Sequence, residues 1–276
     1  MKCPNCQREN SPEARFCESC AAPLVRLCAN CKSPASPTAK YCSQCGHALN
    51  PISGADRYSS PRNYTPQHLV NKILTSRSAL EGERKQITVL FADIKGSMEV
   101  ITDRDVEDAQ KLLHAVVERM IEAVHRYEGT VNSVLGDGIM ALFGAPLAHE
   151  DHAVRACYAA LRMQENIARY ADELVRTRGL PVMVRVGVNS GEIVISAIGN
   201  DLHMEYTVVG PTVHLASRME QMAKPGTVLT TAHTHRLAEG FIAMKPLGPV
   251  PVKGLTEPVP IFEVTGAGPA RTRLQA

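Results

Sequence analysis

No apolar run in the 276 residues approaches the roughly 20 that a membrane-spanning helix needs. No apolar stretch follows Lys2 either, which argues against a secretory leader. The chain therefore reads as soluble and cytoplasmic, with no membrane partner. Charge of one sign is also lacking: 30 Lys and Arg against 28 Asp and Glu leave +2. Both signs are spread along the chain, so there is no global pull towards nucleic acid or anionic lipid. Cysteine is almost absent from the later sequence. Of nine cysteines, eight lie within the first 45 residues, and Cys157 stands alone in the apolar helical pattern Ala156–Leu161, where it reads as a small buried hydrophobe. Apolar residues, by contrast, make up 44%, enough to build a core at a length suited to one α/β domain plus a small module.

The eight early cysteines are a repeat. Cys3 and Cys6 followed by Cys17 and Cys20 recur as Cys28 and Cys31 followed by Cys42 and Cys45, each displaced by 25 residues. Pro12 and Pro37, Phe16 and Tyr41, and Leu24 and Leu49 share that offset, so one structural unit is written twice. Each unit is too small for a core of its own and needs a staple. A Cys-x2-Cys turn aims two thiolates at one point, and two such turns complete a tetrahedral Zn²⁺ site. A disulfide framework would use the same residues but belongs to secreted chains. Two structural Zn²⁺ ions are expected, one in each set of four. Residues 1–50 carry six Lys/Arg and three Asp/Glu; eight thiolates and two Zn²⁺ turn that +3 into −1. Such a module is a poor footprint for nucleic acid and suits a structural or protein-contact role.

Residues 51–83 read as a linker with a short helix. Its first part is rich in Pro, Ser, Asn and Gly. Thr65 as N-cap and Pro66 as first helical residue then open an amphipathic segment with Leu69, Val70, Ile73 and Leu74 on one face. From residue 84 the pattern becomes regular. Ile87–Asp93 reads as a strand, Asp105–Tyr127 as a helix, Val131–Leu135 and Ile139–Phe143 as strands of a hairpin turned at Gly136-Asp137-Gly138, Ala153–Val175 as a second helix and Val182–Asn189 as a further strand. The order βαββαβ is an α+β, ferredoxin-like unit with helices on one face of an antiparallel sheet. A domain over 84–266 and a tail over 267–276 complete the chain.

Two aspartates stand out by position. Asp93 ends the first strand and Asp137 caps the hairpin between the next two, so the topology lets both carboxylates meet at one sheet end. Hard oxygen ligands at a shared point suit Mg²⁺ or Mn²⁺, and the amides after Asp93, with Gly96 allowing close approach, could cradle phosphates. Taken singly, an aspartate in an Asp-Gly turn is an ordinary turn residue. His149-Glu150-Asp151-His152 reads as the acidic opening of a helix rather than a metal cluster, His233 and His235 as exposed, and Asp103 and Asp105 as helix caps.

The segments Phe91–Ser97, Leu135–Gly144, Arg185–Glu192 and Val209–Glu220 together closely resemble the class III adenylyl/guanylyl cyclases, in order and at matching spacing over about residues 84–266. With the double zinc ribbon, the plan resembles bacterial cyclases in which an ATPase region follows about where this chain stops. The resemblance implies a phosphorus–oxygen lyase that converts ATP to cyclic AMP in signal transduction, working as a head-to-tail homodimer whose sites span the interface. It implies two Mg²⁺ or Mn²⁺ ions per site on Asp93 and Asp137, with the Ile94 carbonyl assisting. Gly96 and Ser97 would lie at the phosphates, and Arg218 of the second copy would stabilise charge on the transferred phosphorus. Thr207 matches the base-recognition position of the adenine-type branch, and Lys253 lies near the family's phosphate-contacting lysine.

Two positions depart from the pattern. Ser133 stands where the family has a purine-recognising lysine, and His214 where it has a ribose-orienting asparagine. Loss of one well-placed donor costs on the order of 2–4 kcal/mol of transition-state stabilisation. A catalytically weak or inactive nucleotide-sensing and dimerisation module is therefore the alternative expectation.

Overall fold

The computed structural model describes residues 8–10, 17–20, 26–27, 33–35, 44, 58, 60–76, 84–96, 105–198, 204–208 and 212–270; for 26–27, 34–35, 76, 195–198 and 204–208 the backbone alone is described. The chain divides into two compact units, Met1–Ser53 and Gly54–Ala276.

In the first unit β1 (Arg26–Leu27) pairs antiparallel with β2 (Pro34–Ala35). Cys17 is buried, and the Ser19 amide donates to its Sγ at 3.4 Å. The Asn10 side chain ties the strand-like stretch to the following turn by accepting from the Glu18 amide at 3.0 Å. Cys3, Cys6, Cys28, Cys31, Cys42 and Cys45 lie outside the described residues.

The second unit opens with α1 (Pro61–Tyr64) and α2 (Gln67–Ser76). Here the expected helix start is corrected. The Thr65 hydroxyl donates back to the Pro61 carbonyl at 2.7 Å and so closes α1, while the Pro66 carbonyl accepts from the amides of Leu69 and Val70. Pro66, not Thr65, thus holds the N-cap position, and Gln67 rather than Pro66 is the first helical residue. Leu69, Val70 and Ile73 are each 1% exposed, as the apolar stripe requires.

The main sheet follows: β3 (Arg84–Ile94), α3 (Val106–Arg126), β4 (Thr130–Leu135), β5 (Gly138–Phe143), α4 (His152–Arg178) and β6 (Val184–Ile198). The order β4-β5-β3-β6 is that of a ferredoxin-like unit. β7 (Met204–Val208) pairs β6, and α5 (Thr212–Met222), β8 (Val228–Thr231), α6 (Ala232–Ala238), β9 (Ile242–Val250) and β10 (Val259–Ala267) extend the sheet. The Asp105 carboxylate caps α3 by accepting from the Glu107 amide at 2.9 Å. β6 runs well past the expected Asn189, because the first residues of β3 pair with Ser190–Val194.

Strand alternation divides the core between the two faces. Leu90, Ala92 and Ile94 of β3, with Val184, Val186 and Val188 of β6, meet α3 and α4 in the larger cluster, which includes the wholly buried Cys157. Burial pushes the Cys157 thiol up to about 12, in keeping with a packing role. Ile87 and Val89 turn to the other face. There Val70 and Ile73 of α2 and Ala216 of α5 cover Met140, Leu142 and Ile193. The second face of the sheet is thus covered by two helices outside the βαββαβ unit.

Candidate active site

Asp93 lies opposite Gly138 of β5 on one side and Arg185 of β6 on the other. Its partners Ile87, Val89 and Phe91 belong to the face covered by α2 and α5, so period-two alternation turns Asp93 to that same face at its open end. The hairpin between β4 and β5 delivers Asp137 beside it. Gly136 has φ of 71°, and a Cβ on Gly138 would stand 2.6 Å from the Ala92 carbonyl oxygen and 3.0 Å from Asp93 Oδ1. Glycine at 138 is therefore what lets the turn close onto the strand end. Burial and the neighbouring Asp137 carboxylate push Asp93 above the ordinary carboxylate range, against the pull of Arg185. Two hard oxygen donors in this proximity, with Asp93 penalised for carrying its charge, fit a divalent cation.

After Asp93 the chain turns away through Lys95, whose amide donates to the Met183 carbonyl at 2.9 Å, and Gly96, with φ of 72°. Ile94 is buried in the larger core cluster. Ser97 lies outside the described residues.

A second group gathers on α5 and the turn after β9. His214, Leu215, Arg218, Val252, Lys253, Gly254 and Leu255 line a cavity of about 320 Å³. His214 and Lys253 are exposed, and Arg218 Nη1 donates to Gln221 Oε1 at 2.6 Å. Arg218 and Glu220 are two residues apart on the helix, hence roughly 200° apart around its axis. Glu220 faces β6, where its Oε1 lies 2.8 Å from Arg185 Nη2; Arg218 faces the cavity. One chain thus carries the carboxylates and the Arg218 group on opposite sides of α5.

Ser133 sits half-buried in β4 beside an irregularity at Asn132 and opposite Met140, which places it on the Asp93 face. Thr207 lies opposite Val194 in the β6–β7 ladder, its backbone alone being described.

Arg185 and Glu220 are functional candidates that the motif reading passed over. Arg185 Nη2 bridges Asp93 Oδ2 at 3.0 Å and Glu220 Oε1 at 2.8 Å. Glu220 is pushed above its ordinary value by burial, opposed by Arg185, with Asp93 and Asp137 adding to the rise. Gly187 makes this arrangement possible, because α5 rests directly on it: a Cβ there would lie 2.0 Å from the Glu220 amide nitrogen. A signal was available in retrospect. Arg185 opens the segment Arg185–Glu192 and Glu220 closes Val209–Glu220, each a charged residue beside an apolar neighbour, Val186 and Met219, that is buried.

The histidine stretch before α4 disperses. His152 Nδ1 meets Thr88 Oγ1 at 2.7 Å inside the sheet, and His149 lies 3.6 Å from Glu128. His235 stacks on Phe262 with ring centroids 4.3 Å apart, so it is partly covered rather than exposed as expected. Among the described residues no group of three His, Cys, Asp or Glu is placed to hold a metal, and no helix is long and apolar enough to cross a membrane.

Comparison with known proteins agrees with this architecture. Residues 81–265 match the family of the adenylate and guanylate cyclase catalytic domain, and residues 3–46 match the double zinc ribbon. The chain belongs to the adenylate and guanylate cyclase catalytic domain family and carries an N-terminal double zinc ribbon. Adenylate cyclase 1 of Rhizobium meliloti is 31% identical over 208 residues, which cover 74% of this chain and 31% of that protein. The chain spans about a third of the length of the curated relatives it matches. Among solved structures, the adenylyl cyclase CyaB from P. aeruginosa superposes with a TM-score of 0.62 at 30% identity, covering 71% of this chain and all of that one. The guanylate cyclase domain of RhGC from Catenaria anguillulae, solved in complex with GTP, superposes at 0.57 and 27% identity, over 67% of this chain and 99% of that one.

Proposed function

We propose that this chain is an adenylate cyclase that converts ATP to 3′,5′-cyclic AMP and pyrophosphate, with Mg²⁺ or Mn²⁺, at sites shared between two copies of itself. The observation that carries the reading is the separation on one chain of two complementary half-sites: Asp93 with Asp137 at the sheet end, and Arg218 with His214 and Lys253 around the cavity. Arg218 faces away from the carboxylates of its own chain, so a head-to-tail second copy brings the halves together.

The divalent ions, bound by Asp93 and Asp137 with the Ile94 carbonyl, supply acidity at the ribose 3′-hydroxyl and polarisation of the α-phosphate. Asp93 and Asp137 fix the end of the sheet at which the phosphates lie, and the Gly96 and Ser97 turn lines them. The 3′ oxygen forms its bond to the α-phosphorus as the bond to pyrophosphate breaks, and the hydroxyl proton leaves. Arg218 of the second copy faces the charge that builds on the phosphorus. Lys253 meets the polyphosphate and His214 the ribose. Thr207 and Ser133 contact the base, and Thr207 favours adenine. The ribbons hold two Zn²⁺ through Cys3, Cys6, Cys17 and Cys20, and through Cys28, Cys31, Cys42 and Cys45. Donation of the Ser19 amide to Cys17 Sγ suits a metal-bound thiolate. Their near-neutral charge fits a protein partner better than nucleic acid, in the cytoplasm.

Product analysis of the purified protein with ATP and, separately, GTP, each with Mg²⁺ or Mn²⁺, tests this, with Asp93→Asn as the blank. Metal-dependent cyclic AMP absent from the blank is the expected result. Ser133 and His214 support a second reading, a nucleotide-sensing module. For it, nucleotide raises the melting temperature of a folded dimer while no cyclic product forms.

A further inference from the structure

Three carboxylates and one guanidinium meet at the end of the sheet. Asp137 bears on Asp93, and both bear on Glu220. Fully ionised, the group carries −3 + 1, or −2, the complement of one divalent cation. Arg185 grips Asp93 through a single nitrogen, Nη2, which is shared with Glu220. A guanidinium has five donors and binds carboxylates best as a two-pronged fork. Here its Nε is buried without a hydrogen-bond partner among the described residues, and Glu220 Oε1, though close, is not aligned for one. Buried donors and acceptors left in this condition call for an explanation. Glu220 is 10% exposed on a helix seated on Gly187, so it cannot retreat easily. Asp93, 31% exposed, lies one residue before the end of β3 and opens towards solvent.

We propose that Arg185 is the resident counter-ion of Asp93, held there by Glu220, and that a divalent cation reaching Asp93 and Asp137 takes Asp93 over from Arg185 while Glu220 keeps the guanidinium. Arg185 and Glu220 are positioning residues: they hold the Asp93 carboxylate in place before the ion arrives and set how tightly it binds. The inference rests on the reading of Asp93 and Asp137 as the cation site. It yields two effects of opposite sign. Without the guanidinium, the ion has no competitor for Asp93 and binds more tightly. Without the Glu220 charge, Arg185 turns wholly to Asp93 and the ion binds more weakly. A merely structural salt bridge would lower stability in both variants and leave ion affinity alone.

The test is Mn²⁺ binding to the full-length protein without nucleotide, followed by the electron paramagnetic resonance signal of free Mn²⁺, with Asp93→Asn subtracted for unrelated sites. Arg185→Gln is expected to tighten the Asp93-dependent binding about tenfold and Glu220→Gln to weaken it about tenfold. Should Arg185→Gln fail to fold, Arg185→Lys, too short to span both carboxylates, is expected to tighten binding about threefold. Folded variants that bind Mn²⁺ as the parent does, or that change in the same direction, overturn the proposal. If the parent nevertheless makes cyclic AMP with Mn²⁺, the cyclase reading survives that failure. If no variant shows Asp93-dependent Mn²⁺ binding and the parent makes no product, both readings fall.

Discussion

Alanine at position 187 would place a methyl carbon 2.0 Å from the Glu220 amide nitrogen, 2.3 Å from the Ala216 carbonyl oxygen and 2.7 Å from the Met219 carbonyl carbon. All three neighbours are helix backbone, so no side-chain rotation relieves the overlap. Ordinary carbon contacts begin near 3.5 Å, and α5 must therefore move off β6 by about 1 Å or more. Ala216 and Met219, both wholly buried, would lose part of their packing. Overpacking of this kind costs about 1–3 kcal/mol, which at about 2–4 °C per kcal/mol for a unit of this size lowers the melting temperature by about 2–12 °C. The same shift draws Glu220 away from Arg185 and re-aims Arg218, and misplacement of about 1 Å costs on the order of 100-fold in rate. Urea unfolding and cyclic-nucleotide formation measure the two effects on one Gly187→Ala preparation. A variant as stable and as active as the parent would refute the claim that close seating of α5 organises the site.

Separation of the half-sites predicts complementation. Asp93→Asn and Arg218→Ala, each inactive alone, are expected to recover roughly a quarter of parent activity when mixed and re-equilibrated, since half the dimers are mixed and each of those has one intact site. No recovery after proven subunit exchange would mean that Arg218 serves its own chain. Stability should also fall in mild acid. Burial, with His68 adding to it, pulls His125 down to about 4, so the folded protein holds this imidazole neutral where the unfolded chain, near 6.5, takes up a proton. Its contribution is present above about pH 6.5 and is lost as pH falls towards 4; burial lowers His149 and His152 in the same sense. Urea titrations from pH 7 to 4 are expected to show a smaller loss for His125→Asn than for the parent, and equal losses would sink this assignment.

Much of this molecule is local enough to read along the chain. The cysteine pairs repeat at a fixed offset because each Cys-x2-Cys turn is complete within four residues. α3 and α4 announce themselves by apolar residues at helical spacing, and β3 by a run of β-branched and apolar residues. Asp93 and Asp137 were legible as a pair, although they are distant in sequence, because each terminates an element whose neighbour follows from the βαββαβ order. What tertiary structure alone decided lies in side chains whose meaning depends on register. Arg185 could equally have been a solvated charge at a strand start; it became the partner of Asp93 because β6 pairs with β3 at that position. Glu220 reached Arg185 only because a glycine on β6 admits the helix backbone. The strand expected to end at Asn189 continues through Ser190-Gly191, where Ser190 bonds Thr88 across the ladder and Gly191 leaves room for Thr212. Whether Thr65 or Pro66 caps α2 turned on where one hydroxyl found its acceptor. Periodicity and spacing are properties of a segment, whereas an ion pair, a close approach or a cap is a property of two segments brought to one place. Only the packing of the sheet and its helices supplies the second.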